Sequence, residues 1–117
     1  MKNSDGQHPT ILIVEDIDWI RAAMKKAVEH EGYRAVEARN DAEALQLAER
    51  EPPELIVTDE ELPTFYDLMS HLREHASLNS VPVAIVNPDA EDGAQHGDAY
   101  LLADYAEITS LLAVLRY

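Results

Sequence analysis

Three acids stand where this sequence could do chemistry. Glu15 and Asp16 follow the apolar run Ile11-Leu12-Ile13-Val14, and Asp59 ends the run Leu55-Ile56-Val57-Thr58. Short apolar runs rich in β-branched residues read as strands buried on both faces of a parallel sheet. Open sheets of that kind place their chemistry beyond the C-terminal ends of their strands. If the two strands are neighbours, the carboxylates of Glu15, Asp16 and Asp59 meet at one crevice. Other patterns are weaker. His71-Leu72-Arg73-Glu74-His75 fits the H-x-x-E-H of zinc peptidases, and histidines four apart share a helical face. Yet no distant third ligand is evident in a chain this small, and the helix already has packing to do. The acids between Asp89 and Asp92 lack the spacing of a calcium loop and read as solvated. His8, His30 and His96 read as surface residues.

Composition narrows the setting. The 117 residues suffice for one domain with a single core, and 46% of them are hydrophobic, as in a globular chain. Lys and Arg number 9 against 23 Asp and Glu, a formal charge of -14 that repels phosphate backbones and argues against nucleic-acid binding. The absence of cysteine removes disulfides, thiolate metal sites and thiol nucleophiles together. No apolar run reaches membrane-spanning length and the N-terminus has no signal-peptide core, so a cytoplasmic protein without membrane contact is expected.

The elements that must position the acids can be read in order. Residues 1–9 are polar, contain Gly6 and Pro9, and read as a flexible tail; residues 10–117 form the domain. Thr10 to Val14 is the first strand. A helix follows from Asp18 to His30, with Ile20, Met24, Ala27 and Val28 on one buried face and Gly32 placed to end it. Tyr33 to Ala38 is a second strand. Asn40 with Glu43 opens a helix to Arg50, and Pro52-Pro53 stops it ahead of the central strand. Thr64 with Asp67 makes another capping pattern, for a helix to about Ala76. Val81 to Val86 is the fourth strand and Ala99 to Leu102 the fifth. Asp104 with Glu107 caps a last helix through Arg116. The residues from Asn87 to Gly97 show little apolar periodicity, so a helix there is short or absent. Strands alternating with helices imply an α/β domain with a doubly wound parallel sheet.

That order with those acids resembles the receiver domain of bacterial response regulators, over residues 10–116. Ile11 to Asp16 looks like the family's first strand with its acidic pair. Leu55 to Asp59 followed by Leu62-Pro63 looks like its third strand and phosphoacceptor loop. The resemblance implies the flavodoxin-like strand order 2-1-3-4-5. It also implies that Asp59 is the phosphoacceptor, that Glu15, Asp16 and Asp59 support a Mg²⁺ ion, and that Glu61 adds its main-chain carbonyl. Such a site is sound chemistry, because Mg²⁺ prefers oxygen ligands and offsets charge during phosphoryl transfer.

Three positions depart from the family. Asn87 stands where receivers carry a Ser or Thr that bonds the phosphoryl group, and Ala103 where they carry a Lys. The segment between the two is shorter by about one and a half helical turns, roughly six residues. Tyr100 matches the family's aromatic switch position, or is an ordinary half-buried strand aromatic. Glu60 and Glu61 add negative charge around Asp59, and Asp104 could add more.

The resemblance therefore implies an atypical receiver in two-component signalling, not an enzyme, with an incomplete switch. Its partners would be a sensor histidine kinase, a phosphotransfer protein or another signalling protein, with a homodimer as a further expectation. The alternative is a phosphorylation-independent pseudo-receiver, a scaffold for protein interaction or dimerisation. A phosphatase built on the acid cluster ranks last, because no general acid or cationic clamp is visible beside Asp59.

Overall fold

A computed structural model describes residues 9–87, 99–104 and 106–115. Five strands, β1 (Thr10–Val14), β2 (Arg34–Ala38), β3 (Leu55–Asp59), β4 (Val83–Val86) and β5 (Tyr100–Leu102), form one sheet in the order β2-β1-β3-β4-β5. All four pairings are parallel. The described helices are α1 (Asp18–His30), α2 (Asp41–Arg50), α3 (Phe65–Glu74) and α4 (Ala106–Leu115). The expected α/β architecture and strand order hold. Apart from Pro9 and Asn87, the flexible tail expected over residues 1–9 and the short or absent helix expected between Asn87 and Gly97 lie outside the described residues.

The two-residue period of the strands sorts their side chains into two cores. Ile11, Ile13, Leu55, Val57, Ala84 and Val86 lie with Ile20, Met24 and Val28 of α1 and with Ile108 and Leu112 of α4. Leu12, Val14, Ile56, Val83 and Ile85 lie with Ala44 and Ala48 of α2 and with Phe65, Leu68 and Leu72 of α3. Every residue of β1 and of β3 is buried, which is why both read as unbroken apolar runs. Register places Ile11 against Leu55 and Val14 against Thr58, so the acids after β1 and at the end of β3 arrive at the same sheet edge.

Several boundaries shift from the expected ones. Tyr33 packs ahead of β2, its hydroxyl donating to the Leu112 carbonyl at 3.3 Å. The fourth strand begins at Val83 and not Val81; Pro82 has no N–H to give the ladder, but its carbonyl accepts from the Ile56 N–H at 3.0 Å. The fifth begins at Tyr100 and not Ala99. Helix α3 stops at Glu74, two residues short of Ala76, because the His75 backbone is extended and its carbonyl accepts the N–H groups of Leu78 and Asn79 in a turn. The last helix is described as far as Leu115, with Arg116 outside the described residues.

The caps also differ in part. Asn40 accepts from the Glu43 N–H at 2.9 Å, as its pattern predicts. Thr64 does not cap its own helix: its Oγ1 accepts from the Asp41 N–H at 3.2 Å and ties α3 to the start of α2. Tertiary contact thus outcompetes the local cap. Gly32 sits just past α1 with φ +88°, the left-handed conformation that ends a helix.

Candidate functional site

The sheet edge beyond β1 and β3 gathers the acids, but not evenly. Glu15 is buried, 1% exposed, whereas Asp16 beside it is exposed. The Glu15 N–H still follows the strand, donating to the Ala38 carbonyl of β2 at 3.0 Å. One carboxylate oxygen, Oε2, accepts from the Ile17 N–H at 3.0 Å. The other, Oε1, is buried without a hydrogen-bond partner. Asp59 closes β3 at 6% exposure, and its Oδ1 accepts from the Glu61 N–H at 2.8 Å. The Asp59 carbonyl accepts from Leu62 N–H at 3.0 Å, turning the chain tightly toward α3.

Electrostatics marks Glu15 as the odd member of the cluster. Burial pushes its pKa from the ordinary 4.5 up to about 8, against the lowering effect of the Ile17 N–H. Contact with the Asp59 and Asp16 carboxylates pushes in the same direction as burial, so Glu15 holds its proton while no cation is near. A buried oxygen without a partner, set among like charges, is what a small divalent cation would relieve. Among the described residues no three acidic or histidine side chains stand close enough to form a ready cation cage. Mg²⁺ does not need one, since it binds through one or two carboxylates and keeps several waters. Glu15 and Asp59 fit that demand, with Asp16 at the solvent side.

The other expected positions are placed differently. Asn87, directly after β4, turns its side-chain amide to Glu60 and donates to Oε1 of that carboxylate. Ala103 and Asp104 lie just before α4 and bond to its first turn: the Ala103 N–H donates to Glu107 Oε1 at 3.1 Å, and Asp104 Oδ1 accepts from the Glu107 N–H at 3.2 Å. Asp104 is thus engaged as a cap. Tyr100 lies at the level of Ala84, two rungs before the level where Asp59 faces Val86, and lines a cavity of about 480 Å³ with Met69, Arg73 and Asn79. Sequence reasoning missed Arg21, whose Nη1 donates to the Glu15 carbonyl at 3.0 Å and whose Nη2 pairs with Asp18 at 2.7 Å. Its place in the first turns of α1, just after the acid pair, was the available signal.

The zinc-peptidase pattern dissolves into packing. His71 Nδ1 meets Asp41 Oδ2 at 3.1 Å, and His75 Nε2 meets Glu49, so both imidazoles tie α3 to α2.

Comparison with known proteins decides the family. The family model for the response regulator receiver domain matches residues 11–104. The chain belongs to the response regulator receiver family. Among curated relatives, the receiver is 31% identical over 86 residues to the polar-differentiation response regulator DivK of Brucella anthropi, covering 72% of this chain and 70% of that one. It is 33% identical over 85 residues to Histidine kinase P4 of Formosa agariphila, covering 71% of this chain but spanning only 6% of the kinase. The chemotaxis response regulator CheY4 of Vibrio cholerae shares its fold with a TM-score of 0.75 at 19% identity, over 94% of this chain and 98% of that one. Receivers of this family serve two-component signalling, generally as signalling modules, and work with histidine kinases and other signalling proteins. Among the described residues no helix is long and apolar enough to cross a membrane.

Proposed function

We propose that the receiver accepts a phosphoryl group on Asp59 and signals through protein contacts, with a switch reduced relative to its family. The supporting observation is that the buried Asp59 carboxylate neighbours Glu15, whose Oε1 is buried without a hydrogen-bond partner, at the end of the central strands. In the transfer, an Asp59 carboxylate oxygen forms the new bond to phosphorus as the donor's P–N or P–O bond breaks. The electron pair leaves with the imidazole of a phosphohistidine or with the carboxylate of an acyl phosphate. Glu15, Asp59 and Asp16 would hold a Mg²⁺ ion, with the main-chain carbonyl of Glu61 as a further ligand, and the ion would offset charge on the transferring group. The Glu61 N–H, already on Asp59 Oδ1, orients the acceptor.

In this reading residues 10–117 are one receiver behind a loose tail, acting in the cytoplasm with a phosphohistidine-bearing kinase or phosphotransfer protein. Asn87 and Ala103 leave the switch incomplete. The second reading, a scaffold independent of phosphorylation, is favoured by one observation: the Asn87 amide is already engaged by Glu60. Incubation with Mg²⁺ and acetyl phosphate, read by intact mass, separates the two. A gain of one phosphoryl group that Asp59→Asn abolishes supports the acceptor; no gain in a folded protein supports the scaffold.

A further inference from the structure

Glu60 and Asn87 stand one residue beyond the last rung of the β3–β4 ladder, where Asp59 faces Val86. The Glu60 N–H donates to the Val86 carbonyl at 3.1 Å, and the Asn87 N–H to the Leu102 carbonyl at 2.8 Å. With both backbones held against the sheet, the Asn87 Nδ2 donates to the half-buried Glu60 carboxylate. A carboxylate thus engages the side-chain amide that β4 delivers next to the level of Asp59.

We propose that Glu60 is a positioning residue of the acceptor site, whose carboxylate keeps the Asn87 amide engaged and so slows phosphoryl uptake by Asp59. The inference rests on the reading of Asp59 as acceptor. A phosphoryl group brings close to two negative charges and several acceptor oxygens, so it needs donors and is opposed by neighbouring carboxylates. Glu60 acts against it in both ways, through its charge and through its hold on a neutral donor. Releasing the amide from Glu60 lets it bond the phosphoryl oxygens, an interaction made only as the group arrives and therefore one that lowers the barrier.

The two contributions separate by substitution. Glu60→Ala removes charge and acceptor together, whereas Glu60→Gln removes the charge but leaves a carbonyl that still accepts from Asn87. Uptake from acetyl phosphate with saturating Mg²⁺, followed by intact mass with folding checked by thermal melts, is expected to be about two- to tenfold faster in Glu60→Ala than in the unmodified protein, the worth of one hydrogen bond. Glu60→Gln should gain less, and adding Asn87→Ala to Glu60→Ala should cancel most of the gain. If the unmodified protein and Glu60→Ala take up phosphate at equal rates, Asp59 stands as acceptor and the role of Glu60 falls. Equal gains in Glu60→Gln and Glu60→Ala that survive Asn87→Ala would reduce the effect to bulk charge and overturn it as well. No phosphoryl gain in any of the folded proteins would sink the reading of Asp59 itself, and this inference with it.

Discussion

The Arg21 guanidinium donates from Nη1 to the main-chain carbonyl of Glu15 at 3.0 Å, so the first helix holds the acid corner by its backbone. The arginine is otherwise engaged by Asp18 and Glu37, and its side chain is only 15% exposed. Arg21→Ala is expected to cost about 1–2 kcal/mol of unfolding free energy, the scale of a charge-assisted hydrogen bond discounted for the exposed partner Asp18. Urea denaturation measures this. Arg21→Lys should recover little, because an ammonium cannot reach carbonyl and carboxylate in the same fork.

Glu15 makes stability depend on pH in a direction opposite to ordinary carboxylates. Its folded pKa is raised from 4.5 to about 8, so the folded state binds the proton more tightly than the unfolded chain does. That contribution is fully present below 4.5 and is lost as pH rises through about 8. In chelator, the receiver should be less stable at pH 8 than at pH 5, by a few kcal/mol at most. Glu15→Gln should flatten this slope. Adding Mg²⁺ should restore stability at the alkaline end in the unmodified protein but not in the variant. A melting temperature insensitive to Mg²⁺ at pH 8 would count against the proposed cation site.

Gly32 adopts φ +88° with open space around the position of an added Cβ. Gly32→Ala therefore meets no clash, and its cost is backbone strain alone, about 1 kcal/mol. A larger loss in thermal or urea unfolding would show that this turn carries more than the end of α1.

Leu68 is fully buried on α3, in the core that also holds Phe65 and Leu72. Leu68→Ala should cost about 2–5 kcal/mol through lost burial and the cavity left behind. The loss should also reach the acceptor. Leu62 belongs to the same core, and its N–H donates to the Asp59 carbonyl, so packing of α3 holds the turn that leaves β3. The variant should therefore lower phosphoryl uptake, measured by intact mass at a temperature where it remains folded.

The sheet and its acid edge were legible in the chain because strand side chains alternate and buried parallel strands must be apolar on both faces. Val14 and Asp59 end such strands, so once the two strands lie side by side their acids come to one edge. The family resemblance rested on the same residues. What the chain could not reveal alone was which acid is buried. Glu15 and Asp16 are adjacent and chemically alike, yet Glu15 is buried, its N–H on the Ala38 carbonyl of β2 and its carboxylate on the Ile17 N–H, while Asp16 is left in water. The pairings of Asn87 with Glu60, Thr64 with Asp41 and Arg21 with the Glu15 carbonyl were decided in the same way. Strand period and helix period are local and carry a direction for each side chain along its own element. The partner of a loop side chain depends on how far a neighbouring element has been brought, and that distance exists only once the sheet and its helices have packed.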